Sequence, residues 1–190
     1  MPRSGAGARA RLAQAALELY GARGYDQTTT AEIASRAGLS ERTYFRHFAD
    51  KREVLYHVEA EREESLRRAL AKAPVDLTPI AAVLHAFRAT APDLEASRAF
   101  AQTRHRIIVA TPALRERELA KAASLSAIVA DALRERGLPE RRANLLAQVT
   151  TATLGHAIHT WIADPSSNLD TQIVDAFADL HAFAGLGSAS

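Results

Sequence analysis

The segment 24–56, GYDQTTTAEIASRAGLSERTYFRHFADKREVLY, decides the fold. Thr29 stands three residues before Glu32, the spacing at which a threonine hydroxyl caps free backbone amides and a glutamate reaches back to the capping residue. A short helix is expected over residues 29–37. Gly38 then makes a tight turn, and Ser40 caps a third helix carrying residues 41–48. Asp50 and Glu53 repeat the capping-box spacing, so a fourth helix is expected to start there and extend to about residue 71. Ahead of the segment, residues 9–23 read as a first helix with Leu12, Ala16, Leu19 and Tyr20 on one stripe and Gly24 as its left-handed stop. Ile33, Ala34, Ala37 and Leu39 supply the apolar side that locks the two short helices to the first.

Two short helices joined by the four-residue turn 37–40 have the proportions to lay the second one into a major groove. Its outer face would offer Glu41, Arg42, Thr43, Tyr44 and His47 to bases and phosphates. Arginine can pair two donors with a guanine edge, threonine can meet a thymine methyl, and tyrosine and histidine can reach phosphate oxygens. Lys51, placed beside the free amides of the fourth helix, suits one phosphate. Double-stranded DNA is the partner these residues fit. Arg3, Arg9 and Arg11 all precede the first acidic residue, Glu18, forming a short basic arm that reads either as a phosphate or minor-groove contact or as a solvated frayed terminus.

Composition agrees with a folded, helical protein. At 47% hydrophobic residues, 190 residues can bury a core as one compact unit or two small helical ones. The absence of cysteine excludes disulfides, thiolate zinc sites and cysteine nucleophiles, and it fits a reducing compartment. No apolar stretch reaches the roughly 18 residues that span a bilayer, and residues 1–7 lack the apolar middle of a signal peptide, so a soluble cytoplasmic protein with no membrane partner is expected. With a net charge of only +2, attraction to nucleic acid must come from local placement of cations. Strand signals are almost missing, so the fold is expected to be all-α. Glycine and proline punctuate the chain into about nine helices, those beyond Pro74 lying near 78–91, 94–109, 112–136, 139–163 and 168–184. Thr78-Pro79 and Thr111-Pro112 each match a cap followed by proline in the first helical position.

The spacings of Gly-aromatic, Thr-Thr, Ile-Ala, Ala-Gly-x-Ser, Thr-x-aromatic-x-His-Phe and Lys within 24–56 resemble the DNA-binding signature of TetR-family regulators. The resemblance covers roughly the first third of the chain. It implies a three-helix helix-turn-helix reader over residues 1–50, and over 51–190 a connecting helix with a helical domain for ligand binding and dimerisation. Carried over, it makes Thr29 a helix-capping phosphate contact, Arg42, Thr43 and His47 groove contacts, and Lys51 a backbone contact; Ser40 and Glu41 complete the expected DNA-binding set. Phe45 occupies the place where many members carry a phosphate-bonding tyrosine, and Tyr44 stands where an apolar residue is usual. Either Tyr44 takes over the phosphate contact or one anchor is missing; core packing is the other reading of Tyr44, Phe45 and Phe48. The family mechanism would be repression, relieved when a small molecule in the C-terminal domain alters the spacing of the two DNA-reading heads and frees a palindromic operator.

For that effector, expected to be largely apolar, Phe87, Phe100, Thr103, Ile107, Val149, Thr153 and Trp161 fall at spacings that can face one bundle interior, or equally form plain core. Arg104, with His105 and Arg106, could pair an anionic ligand group or lie on a solvated or salt-bridged face. The run RHRIIVATPALRER, residues 104–117, resembles a subclass for which acyl-thioester-like ligands have been suggested, without naming one. A homodimer surface is expected on the last two helices. Leu145, Ala152, Gly155, His156 and His159 would come from one and Ile173, Phe177, Leu180 and Phe183 from the other, pairing as a four-helix bundle unless a monomer buries the same stripes. No cofactor or metal is expected. His156 and His159 lack the cysteine or Glu-x-x-His partners of common helical metal sites, and no nucleophile elbow, phosphate loop or dinucleotide fingerprint is present, so an enzyme is not expected.

Overall fold

In the computed structural model, which describes residues 3–185, helix α1 reaches back to Arg3 and runs to Arg23. Ala6, Ala8 and Ala10, of the best helix-forming type, offset the cost of Gly5 and Gly7. This corrects the expected start at residue 9 and the basic arm ahead of it; the side chain of Arg3 lies outside the described residues. The other two arginines of that arm turn inward. Arg9 donates to the His57 carbonyl at 3.3 Å, with its guanidinium 5.2 Å from the Phe48 ring centroid. Arg11 donates from Nε to the Ala37 carbonyl at 3.1 Å, and from Nη2 to the Ala37 and Gly38 carbonyls.

The remaining elements are α2 (Thr30–Arg36), α3 (Glu41–His47), a short 3-10 helix (Glu53–Tyr56), α4 (Glu59–Lys72), α5 (Pro79–Glu95), α6 (Arg98–Ala110), α7 (Pro112–Glu135), α8 (Glu140–Ala163) and α9 (Leu169–Gly185), with no strand among the described residues. They fall into two compact units. The first takes the chain up to Ala60 together with Ala99–Glu118; the second takes Glu61–Arg98 and the chain from Leu119 onward. The first unit thus runs on past residue 50 and includes much of α6 and the start of α7.

In the first unit the two caps form as their spacing requires. Thr29 Oγ1 accepts from the Glu32 amide at 3.2 Å while Glu32 Oε2 accepts from the Thr29 amide at 2.8 Å, a complete capping box. Gly38 sits at φ 66°, where a side chain would be strained, and an added Cβ would come within 3.2 Å of Arg11 Nη2. Leu12, Tyr20, Ile33, Tyr44, Phe48 and Leu114 meet in a single core from α1, α2, α3 and α7. The expected fourth helix is broken. Asp50 Oδ1 accepts from the amides of Arg52 and Glu53 at 2.7 and 3.2 Å, yet the Glu53 carboxylate turns to Arg117 at 2.8 Å instead of closing a box. Val54, Leu55 and Tyr56 are all buried, so this turn is enclosed on several sides and cannot lie with one stripe inward as a surface helix does. The Tyr56 ring is sandwiched between the guanidiniums of Arg104 and Arg117, 4.5 and 4.4 Å from its centroid, and its hydroxyl donates to the Leu114 carbonyl at 3.1 Å.

In the second unit α9 packs between α5 and α8, with the Phe87 and Phe177 rings edge to face at 6.1 Å. Pro79 and Pro112 open α5 and α7, as the cap-proline pairs predict. Pro92 does not divide two helices, as its position suggested. It costs α5 one hydrogen bond near its end, and the helix continues to Glu95 before the Ala96 amide closes on the Pro92 carbonyl at 3.0 Å. Arg98 holds the end of α8. Its guanidinium lies 4.9 Å from the Trp161 ring centroid and donates to the carbonyls of Trp161, Asp164 and Ser167 at 2.5, 2.6 and 2.7 Å. Glu95 beside it accepts from the Leu169 amide at 2.9 Å, capping α9.

Removing a guanidinium that satisfies three helix-end carbonyls is expected to destabilise the second unit by about 2–3 kcal/mol in Arg98→Ala, with Arg98→Lys restoring only part. Chemical denaturation followed by fluorescence of Trp161, the protein's one tryptophan and fully buried, measures it. An unchanged midpoint would show that the clamp is dispensable.

Candidate nucleic-acid interface

Helix α3 is seven residues long, and its register decides what a partner meets. Ser40 Oγ caps it, accepting from the Thr43 amide at 3.2 Å, and lies 3.0 Å from Thr43 Oγ1. Tyr44 and Phe48, one turn apart, go into the core at 0% and 3% exposure. Glu41, Arg42, Phe45 and Arg46 therefore face outward, and Thr43 and His47 stand half-buried at the flanks.

Among the expected contacts, Arg42 is the one fully presented: exposed, with no hydrogen bond or ion pair among the described residues. Glu41 is exposed but tied to α2, its Oε1 accepting from Thr30 Oγ1 at 2.6 Å. Thr29 is exposed and spends its hydroxyl on Glu32. Tyr44 is a correction. Its ring is fully buried and its hydroxyl donates to the Asp50 carbonyl at 3.1 Å, so it holds the turn after α3 and cannot serve as a phosphate anchor. Burial pushes its phenol pKa up, keeping it a donor. Lys51 is placed differently than expected. Its ammonium donates to the Tyr25 carbonyl at 2.8 Å and sits 4.0 Å from that ring's centroid, while Asp50 takes the amides it was expected to accompany.

Phe45 and Arg46 were missed. The signal was available in the sequence: once Tyr44 and Phe48 are taken as the inward i, i+4 pair, Phe45 and Arg46 follow Glu41 and Arg42 on the opposite face. Phe45 is 53% exposed. Arg46, like Arg42, has no hydrogen bond or ion pair among the described residues. Two unneutralised guanidiniums on one side of a short capped helix can meet phosphates or guanine edges.

The expected effector residues are divided between the two units. Phe100, Thr103, Arg104 and Ile107 belong to the first unit, and Phe87, Val149, Thr153 and Trp161 to the second. Ile107, Phe87 and Trp161 are core. Arg104 is engaged within its unit, donating to the Leu55 carbonyl at 3.0 Å and to Glu118 at 2.6 Å, the salt-bridged one of its expected settings. Of the expected dimer residues, Leu145, Ala152, Gly155, His156 and His159 share the exposed side of α8, and Leu180 is half-buried. Ile173 and Phe177 are corrected: at 0% and 5% exposure they pack inside the second unit, leaving Val174, Ala178 and Phe183 outward on α9. No group of three or more possible metal-binding side chains occurs among the described residues, and no helix there is long and apolar enough to cross a membrane.

His47 gives a pH signature. Its Nε2 is enclosed without a hydrogen-bond partner among the described residues, and burial, then Arg46 and Arg9, hold its pKa below the usual imidazole value. The unfolded chain then binds the proton more tightly, so the stability from this group is complete above about pH 6.5 and is lost as pH falls toward the folded pKa. Between pH 7.5 and 5.5 the wild type is expected to lose more stability than His47→Gln. Near-ultraviolet circular dichroism of the tyrosines, all four in the first unit, follows it; parallel pH curves would exclude the effect.

Comparison with known proteins agrees with this geometry. Residues 12–58 match the family model described as bacterial regulatory proteins, tetR family, and residues 77–184 match that of the MftR C-terminal domain. Over 81 residues the chain is 41% identical to the HTH-type transcriptional regulator TcmR of Streptomyces glaucescens, a match spanning 43% of this chain and 36% of that protein. The SmeT–triclosan complex superposes with a TM-score of 0.64 at 19% identity, covering 90% of each chain; SmeT is the repressor of the Stenotrophomonas maltophilia efflux pump SmeDEF. FadR of Thermus thermophilus, a repressor solved with lauroyl-CoA, gives a TM-score of 0.57 at 24% identity over 90% of this chain and 91% of that one. These structural likenesses are likenesses of fold. With an N-terminal reader matched over its helix-turn-helix and a C-terminal domain matched over more than half the sequence, the chain belongs to the TetR family of bacterial transcriptional regulators.

Proposed function

We propose that this protein is a sequence-specific repressor that binds a palindromic operator as a homodimer and is released when a small, largely apolar molecule enters its C-terminal helical domain. The observation that carries the DNA reading is the pair Arg42 and Arg46, exposed on α3 and neutralised by nothing among the described residues, in a family built on the helix-turn-helix. Each can meet a phosphate or a guanine edge, and the half-buried Thr43 and His47 flank them. Lys51 keeps two of its three donor hydrogens for a backbone phosphate.

The homodimer reading rests on α8. Between Arg142 and Asp164 that helix has no aspartate, glutamate, lysine or arginine, and Leu145, Ala152, Gly155, His156 and His159 lie together on its exposed side. A second copy packed there by a twofold axis would supply two α3 helices for the two half-sites of a palindrome, which lie about 34 Å apart. Triclosan on SmeT and lauroyl-CoA on FadR support an apolar effector. Its binding would release the DNA by changing the spacing of the readers.

The test is binding of purified protein to the DNA upstream of its own gene, against a scrambled duplex. Arg42→Ala and Arg46→Ala are each expected to weaken specific binding at least about ten-fold, and any phosphate contact among them to lower the salt slope by about one. Equal binding to both duplexes by the wild type, or unchanged affinity in both variants, would refute the reading. Ala152→Glu, placing a charge mid-face, is expected to sediment as a folded monomer and lose the operator with it; a dimer in that variant would put the twofold elsewhere.

A further inference from the structure

Phe45 is 53% exposed at the middle of α3, although the two aromatic residues beside it in the register, Tyr44 and Phe48, are buried. Arg42, three residues earlier, and Arg46, immediately after, are exposed on the same side and unpaired among the described residues. An apolar ring between two cations gains nothing from solvent. Its surroundings suit a polyanion that carries an apolar group within reach.

We infer that Phe45 is a specificity-determining residue, its ring seated against the C5-methyl group of one thymine in each operator half-site. The inference rests on α3 being the recognition helix. The benzyl side chain has no atom that can donate to or accept from a phosphate, so the anchor that a tyrosine could supply here is absent. On the major-groove edges of duplex DNA the apolar group is the thymine methyl, and a phenyl ring can cover it. The ring is supported from behind. Tyr44 stands edge-on to it at 5.5 Å between centroids, and Tyr44 is itself fixed by its hydrogen bond to the Asp50 carbonyl. Phe45 thus contributes base discrimination in place of backbone affinity, and Arg42, about one turn away on the same side, reads or anchors the neighbouring position.

The experiment begins with full-length wild type selecting sites from a random duplex pool. In the selected duplex each thymine is then replaced in turn by deoxyuridine, which removes only the methyl group. One symmetry-related thymine pair is expected to be sensitive: about three- to five-fold loss of affinity per half-site, and about ten- to twenty-fold for both, the size of one buried methyl each. Phe45→Ala is expected to bind more weakly overall and to show no loss on that replacement, whereas Phe45→Tyr keeps it; the protein change and the methyl deletion are then coupled. Far-ultraviolet circular dichroism and a thermal unfolding midpoint matching the wild type check that the variants fold. A selected half-site without thymine, no sensitive pair, an equal deoxyuridine penalty in Phe45→Ala, or tighter binding to the corresponding single strand would each overturn the assignment. Failure to select any sequence would overturn the recognition-helix reading with it, so the two failures are distinguishable.

Discussion

Helix ends leave carbonyl groups without partners, and in this protein arginine side chains answer them. Arg11 takes the carbonyls of Ala37 and Gly38 at the end of α2. Arg98 takes those of Trp161, Asp164 and Ser167 where α8 gives way to α9, and Arg136 those of Ala73, Pro74 and Leu77 beyond α4. A guanidinium suits the task because its donors are planar, forked and permanently charged, and the negative end of each helix attracts it. Among the described residues, three helix ends are thus met by donors imported from distant sequence.

This division of labour explains which cations remain for function. Arg9, Arg11, Arg98, Arg104 and Arg117 are consumed by carbonyls, carboxylates and aromatic rings within their units. Arg42 and Arg46 are left unspent on α3. A protein with a net charge of +2 can thus present a concentrated positive face, because many of its other cations are already committed.

The same division marks what the sequence could disclose. Thr29 with Glu32, Gly38, Ser40 and the Thr78-Pro79 pair were legible because each acts on amides within a few residues. Tyr44 was ambiguous because its two faces differ only once the core from α1 and α2 is in place. The partners of Lys51 and Arg104 were not legible because Tyr25 and Glu118 lie 26 and 14 residues away. Pro92 misled for the opposite reason: a local rule that would break a helix interior costs little where only one further turn remains. The α9 stripe of Ile173 and Phe177 had the periodicity of an interface, but periodicity reports only that a face is covered, and here α5 and α8 cover it.

The first unit is discontinuous in sequence, since Tyr56 and its neighbours are enclosed by Arg104, Leu114 and Arg117. During synthesis from the N-terminus the three reader helices emerge early, yet the ring of Tyr56 stays open to water until the ribosome has added about sixty further residues, through Arg117. Residues 61–98, which belong to the other unit, must pass through in the meantime. The DNA-reading end is thus completed late in translation, and a reader cut or grafted at residue 60 would leave the Tyr56 ring without the two guanidiniums that cover it and its hydroxyl without the Leu114 carbonyl.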